Sequence, residues 1–256
     1  MQTTLFVING SHPCVTVEQA LAMKGVPFRK VEIMPGMQPL LRLMFRGRTV
    51  PAIRFEDGRR VQGSRAILRV LEDRIPEPKL YGSTAIEQAE QWGDEVYQSV
   101  PRTILWPALA GHPEVLHAMQ AGSKLPKLPM PMIKLAAPGI LAIERRLNDT
   151  DDAAAREAIA DLPTILDHVD RLIADGTLNG ASPNAADLQI APTTRLLHAI
   201  GDLRPLIAGR PCEAHAFRWL PQNPAEAAPG VIPADWLATV STPQTASPAA
   251  AEPVTH

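Results

Sequence analysis

The chain has 256 residues, 45% of them hydrophobic, with a formal net charge of −2 at pH 7. That length allows one large domain or two ordinary ones, and the apolar fraction is enough to build real cores. The charge lacks the basic excess of a nucleic-acid binder, the two cysteines, Cys14 and Cys212, exclude a disulfide framework, and no apolar run approaches the roughly 18–20 residues of a membrane span.

The start of the chain lacks the basic residues and apolar stretch of a secretory signal. With so few cysteines, the expected protein is soluble, cytoplasmic and free of nucleic-acid or membrane partners. Arg42, Arg46, Arg48, Arg59, Arg60 and Arg65 cluster in the first third. A solvated rim is favoured over an anion site.

Thr4 to Ile8 is a continuous apolar run and reads as a central strand covered on both faces. A tight turn, Ser11-His12-Pro13-Cys14, follows, and Val15 to Met23 has Val17 and Leu21 at helical spacing before the stop at Gly25. Arg29 to Ile33 alternates and reads as a half-buried strand. Gln38 to Phe45 is short and helical or irregular. Ala52–Phe55 and Arg59–Gln62 flank Glu56-Asp57-Gly58 as a hairpin. Ser64 is expected to cap a second helix with the apolar stripe Ile67, Leu68, Leu71 and Ile75.

Pro76 ends that helix, and Pro76 to Ser83 reads as a linker. Beyond it the strand pattern stops. Helices are expected over 86–100, with Trp92 and Val96 on one face, and over 140–147, 153–160, 162–174 and 184–200. A Pro-rich interruption lies between Lys124 and Pro138. Asn184 and Asp187 form a capping box at the start of the last of these helices. From Thr239 the chain is Ala, Pro, Ser and Thr, a composition that does not order itself. The sequence contains no internal repeat.

The chemistry concentrates at residues 11–14. A strand running through a turn into a helix places Ser11 and Cys14 at a helix N-terminus, where free N–H groups and the helix dipole favour negative charge. The pattern is C-x-x-C with serine in the first position, so the chain is suited to holding a thiol from outside. For Cys14 a small core residue is favoured over a reactive thiol. His12 reads as an exposed loop residue without a catalytic role. The remaining histidines have no zinc-ligand spacing, and no metal site is expected.

Four segments in order resemble the glutathione S-transferase superfamily, from about residue 3 to 221. Ser11-His12-Pro13-Cys14 with Val17 to Gly25 is similar to the first turn and helix of its serine- and cysteine-type members. Gly47 to Ile53 resembles the segment bearing its cis-proline, Gln62 to Ile67 its γ-glutamyl-binding turn, and Gly180 to Leu188 the capping box of its second domain. The resemblance implies an α/β thioredoxin-like N-terminal domain, βαβ-ββα with a mixed four-stranded sheet, followed by an all-α helical bundle. The implied boundaries are 1–77 for the thiol-binding domain, 78–85 for the linker, 86–238 for the helical domain and 239–256 for a disordered tail.

By position, the resemblance makes Ser11 the residue that activates the glutathione sulfur, and Cys14 the second cysteine of the thioredoxin pair. Val50 becomes the backbone partner of the cysteinyl unit, Pro51 the cis-proline, and Ser64 the holder of the γ-glutamyl carboxylate. Arg48, Gln62 and Gly63 join the thiol-binding set. The family usually has Glu, Asp or Gln directly before the serine. This chain has Gly63 there, with Gln62 one step earlier, which admits a low-molecular-weight thiol other than glutathione.

The implied activity is transfer of a glutathione-type thiol, as co-substrate and without a metal, to a small-molecule electrophile. A homodimer is the implied assembly. Lowering a thiol pKa from about 8.5 to about 6.5 takes roughly 2.7 kcal/mol. A helix N-terminus contributes roughly 0.3–1 kcal/mol, up to about 2, and a hydroxyl donor to a charged acceptor roughly 1.5–3. Together these suffice without a general base. The electrophile is expected between the domains, where Trp92, Tyr97, Arg102 and Trp106 are available, most of them as packing. An isomerase or dehalogenase would use the same residues. The alternatives are glutaredoxin-like thiol–disulfide chemistry through Cys14 and a non-catalytic ligand-binding or interaction protein.

Overall fold

Residues 4–7 are all buried and lie at the centre of a sheet, as a continuous apolar strand must. The computed structural model of the chain describes residues 2–221, 226–238 and 240. Its first part runs β1 (Thr4–Val7), α1 (His12–Met23), β2 (Arg29–Glu32), a 3₁₀ turn (Gln38–Leu43), β3 (Ala52–Arg54), β4 (Arg60–Gln62) and α2 (Ser64–Arg74). The sheet order is β2-β1-β3-β4. β1 pairs in parallel with β2, Phe6 opposite Val31, and antiparallel with β3, Leu5 opposite Ile53. This is the mixed four-stranded thioredoxin-like sheet. Leu5, Val7, Val17, Leu21, Ile67 and Leu68 bury themselves between it and the two helices.

The rest of the described chain is almost wholly helical: α3 (Thr84–Trp92), α4 (Ser99–Ala108), α5 (Pro113–Ala118), α6 (Met130–Leu147), α7 (Asp152–Ala174), α8 (Ala185–Ala199), α9 (Arg204–Ile207), α10 (Pro211–Trp219) and α11 (Ala234–Leu237). No described helix is long and apolar enough to cross a membrane. The expected disordered tail over 239–256 lies outside the described residues apart from Val240.

Several expectations are corrected. Helix 86–100 is interrupted by one π turn, Gly93–Tyr97, with Gln98 N–H bonded to the Gly93 carbonyl. The extra residue in that turn advances the helical register. Tyr97 is therefore fully buried and Val96 is 44% exposed, where the uniform period had put Val96 with Trp92. Residues 153–160 and 162–174 form one helix, because Pro163 is tolerated inside α7. The Pro-rich interruption ends early: α6 begins at Met130 with Pro131 in its first turn, where no N–H is required, and carries Pro138 in its interior. Ser64 is the first residue of α2 and makes no cap; the N-cap position is Gly63.

The two halves meet at α8, which packs against α1, α2, α3 and α10 and is buried along nearly its whole length. Its start is the capping box expected from Asn184 and Asp187. Thr16 Oγ on α1 donates to the Leu188 carbonyl at 2.7 Å, and the Ala185 N–H donates to the Leu80 carbonyl at 3.0 Å. The far end of α1 is tied by Lys24, whose ammonium donates to Glu72 and to the carbonyls of Ile75 and Pro78 at 2.6–2.7 Å.

Asp187 is wholly buried. It accepts from the N–H groups of Asn179 (2.8 Å) and Asn184 (2.9 Å) and from His215 Nε2 (2.7 Å). Removing a charged acceptor strands buried donors, each at a penalty of about 1–3 kcal/mol. Asp187→Ala is expected to destabilise the protein by more than about 2 kcal/mol, read as a lower urea midpoint. A loss of a few tenths would refute the role of this cap.

Candidate thiol-binding site

The turn between β1 and α1 needs a left-handed residue, and Gly10 supplies it at φ 77°. Asn9 anchors the turn from the other side. Its amide nitrogen donates to the carbonyls of Met119 (3.1 Å) and Ala121 (2.8 Å), just past α5. Ser11 then occupies the N-cap position of the 12-residue α1 in extended conformation. Its hydroxyl makes no capping bond to the backbone of that helix and lies instead beside the Cys14 thiol.

Ser11 lines an open cleft between the sheet domain and helices α4, α6 and α8, with about 800 Å³ of empty space including its mouth. Val50 lines the same cleft, and the Val50–Pro51 peptide is cis as the resemblance implied. The backbone N–H and C=O of Val50 have no hydrogen-bond partner among the described residues. They form an unpaired edge of the kind that accepts a peptide as an added strand. Arg48 is exposed at the lip of the cleft.

His12, expected in an exposed loop, is instead 4% exposed and opens α1. Its Nε2–H donates to the Gln98 carbonyl at 3.2 Å, across the interface to the end of the π turn. Burial, aided by the Arg102 charge and opposed by the Gln98 carbonyl, pushes its pKa down to about 3. It is a neutral clamp between the two halves.

Cys14 corrects the thiol–disulfide reading. It is 1% exposed, packed in the sheet-side core. Burial pushes its thiol up to about 12, against the opposing pull of the Ser11 side chain and the Ile8 backbone. A thiol in that state supplies almost no thiolate at neutral pH.

Gln62 and Ser64 are also placed differently from the roles carried over to them. Both ends of the Gln62 amide are spent inside the protein: its oxygen accepts from Gly47 N–H at 2.8 Å and its nitrogen donates to the Thr49 carbonyl at 2.5 Å. Gln62 therefore holds the loop that leads to Val50. Ser64 is 2% exposed. Its hydroxyl donates to Asp94 (3.0 Å) and accepts from the Gln98 amide (3.2 Å), which also donates to Gln189. What remains for a ligand is the opening turn of α2, where the N–H groups of Ser64, Arg65 and Ala66 lack partners by helix geometry. A shallow depression lies there against Gly63, Arg65, Arg69 and Asp94. Gly63 stands before Ser64 because that residue takes φ 92°, a region open to glycine.

Of the four groups expected near a second substrate, two are packing. Tyr97 and Trp92 stack at 5.2 Å, and Tyr97 shares a hydrogen bond with Thr194 in the helical core. Arg102 and Trp106 line the cleft. A second apolar chamber adjoins it through Ile8, Asn9, Pro35 and Met119, walled by Leu125 and Leu128 of the Pro-rich segment. Asn9, Gln98, Asp94 and Glu144 were missed. Their partners lie up to 112 residues away, and no local pattern marks such contacts. Among the described residues no group of His, Cys, Asp and Glu is placed to hold a metal ion.

A thioredoxin-like sheet joined to a helical bundle, with a serine-headed helix facing the cleft between them, defines a glutathione S-transferase-type fold. Residues 5–79 match the family described as glutathione S-transferase, N-terminal domain. No curated protein sequence matches the chain significantly. Among solved structures, a glutathione S-transferase from Rhodospirillum rubrum F11 aligns with TM-score 0.54 at 19% identity, covering 93% of this chain and 99% of that one. The β-etherase LigF from Sphingobium sp. strain SYK-6 aligns with TM-score 0.57 at 17% identity, covering 85% and 99%. A maleylacetoacetate isomerase from Anaeromyxobacter dehalogenans 2CP-1, with glutathione bound in its active site, aligns with TM-score 0.51 at 18% identity, covering 85% and 89%. The family match thus covers the sheet-bearing first part of the chain, and the chain as a whole shares the fold of solved glutathione S-transferases.

Two outcomes are expected. Glutathione disulfide at about pH 7.5 leaves folded protein unmodified at Cys14 by mass spectrometry, whereas denaturant exposes reactive thiols; an adduct on the folded chain refutes the inert assignment. His12 binds a proton near 6.5 when unfolded and only near 3 when folded. Its contribution to stability is complete above pH 6.5 and is lost as pH falls toward 3, at up to about 1.4 kcal/mol per pH unit. Urea titrations of His12→Gln should show a flatter acid limb than wild type.

Proposed function

We propose that the protein binds a glutathione-type thiol as its thiolate and transfers the sulfur to an electrophilic carbon of a small molecule. The observation that carries this reading is Ser11. It heads a helix and lines an open cleft beside the unpaired backbone of Val50, and its hydroxyl, which makes no capping bond, already lies beside a sulfur, the Cys14 thiol. The helix N-terminus and the hydroxyl both stabilise a sulfur anion. The sulfur lone pair attacks carbon, a C–S bond forms, and the leaving group departs with its bonding pair. Ser11 donates a hydrogen bond throughout and forms no covalent bond.

In this reading Val50 pairs with the cysteinyl unit, and the first-turn N–H groups of α2 receive the γ-glutamyl carboxylate. Arg48 attracts the anion at the lip. Gln62 acts only through the loop it holds. The bound glutathione in the isomerase neighbour and the transferase name of another support the thiol assigned. A thiol-binding domain ending at 77, a helical domain over 86–238, a cytoplasmic setting and a homodimer belong to the same proposal.

The test is conjugation of glutathione to 1-chloro-2,4-dinitrobenzene between about pH 5.5 and 8.5. Losing a charge-assisted hydrogen bond worth roughly 1.5–3 kcal/mol lowers kcat/KM of Ser11→Ala at pH 7 by about 10- to 100-fold and raises the kinetic pKa by more than about one pH unit. An unchanged profile overturns the role of Ser11. Retention on immobilised glutathione with no turnover by wild type would instead favour a binding protein.

A further inference from the structure

The cleft contains a positive charge that nothing in the protein neutralises by contact. Arg102 sits in the first half of α4, half-buried, and lines the cleft with Ser11 and Val50. Its guanidinium has no hydrogen-bond or ion-pair partner among the described residues. The other arginines of the helical half that are not fully exposed to solvent do have partners. Arg195, itself without an ion pair, lies over the Phe217 ring and reaches His198 Nδ1. Arg145 pairs with Asp152, Arg204 with Glu226, and Arg210 with Asp167 and Asp170.

The two carboxylates that act on Arg102 from a distance, Asp94 and Glu144, are both committed elsewhere. Asp94 accepts from Ser64 Oγ at 3.0 Å and from the Gln189 amide at 3.3 Å. Glu144 is 2% exposed. One of its oxygens accepts from the Gly36 N–H at 2.9 Å and the Gln38 amide at 2.5 Å; the other is within reach of the Asn148 amide. Neighbouring His12 is neutral and spends its N–H on the Gln98 carbonyl. Burial already pulls the Arg102 pKa down, so the ion lacks both full hydration and a counter-ion. An unpaired charge in a low-dielectric cleft is costly unless a ligand supplies the partner.

We propose that the electrophilic substrate carries a carboxylate, received by Arg102, on an apolar body that lies against Leu105, Trp106 and Met119. A guanidinium presents two parallel N–H donors in the plane a carboxylate needs, which makes the pairing directional as well as attractive. The three apolar groups border the same cleft, and Met119 also borders the apolar chamber beside it. With Ser11 and Arg102 on one cleft, the thiolate and the carboxylate are held at separate points of a single bound pair. The charge of the second substrate thereby becomes a positioning device and not merely a solubilising group.

This inference rests on the thiol-transfer reading, and its test separates the two. The probes are 4-chloro-3-nitrobenzoate and its neutral counterpart 4-chloro-3-nitrobenzamide, which differ in charge and hardly in shape. Binding of each to the full chain is followed by quenching of tryptophan fluorescence, with no thiol present and no turnover required. The benzoate is expected to bind wild type at least tenfold more tightly than the benzamide, and Arg102→Gln to reduce that preference to less than threefold. Equal binding of the two probes by wild type overturns the inference, whatever the variant does. A preference that survives in Arg102→Gln overturns the assignment to this residue. Addition of glutathione then reads turnover separately. A strong charge preference with no conjugation to either probe leaves Arg102 as the anion site and removes the transferase reading.

Discussion

The cleft exists because α1 is held against the helical half by buried polar contacts at two successive turns. His12 gives its ring N–H to the carbonyl of Gln98, and Thr16 gives its hydroxyl to the carbonyl of Leu188. Both acceptors are main-chain atoms, so each contact ties a buried side chain of α1 directly to the backbone of the π turn or of α8. Ser11 is one residue before this clamp and inherits its rigidity. A site built on a helix N-terminus works only if the helix axis is fixed relative to the ligand, and this interface fixes it.

The same interface accounts for which polar groups are free to meet a ligand. Ser64, Asp94, Gln98 and Gln189 satisfy one another across it, and Gln62 is bound into the loop ahead of Pro51. Burial without partners would have been expensive for each. Satisfying them internally leaves the recognition of a small peptide to main-chain groups: the edge at Val50 and the opening turn of α2. Cys14 shows the same logic from the apolar side. One helical turn beyond Ser11, it faces the sheet, loses water and stays a neutral thiol.

Much of this was legible in the sequence. The apolar run 4–8, the Glu56-Asp57-Gly58 hairpin, the helix at 64–74 and the capping box at Asn184–Asp187 are local signals, each a few residues long and each tied to a backbone geometry. The placement of Ser11 at a helix start is of the same kind. The π turn at 93–97 was not legible, because one extra residue per turn leaves no mark in composition. Nor was the continuity of α7 through Pro163, where the rest of the helix overrides a poor local propensity.

By itself the sequence determined the order of elements, the strand–turn–helix that presents Ser11 and the absence of a second cysteine beside Cys14, since these depend on neighbours in the chain. Tertiary structure alone decided which of those residues face a ligand. Whether Gln62 and Ser64 are spent inside the fold, whether His12 is buried, and whether Arg102 is left without a partner all depend on atoms contributed by segments far away in the chain. Hydrogen-bond satisfaction and desolvation are properties of a packed environment, and no window of sequence contains them.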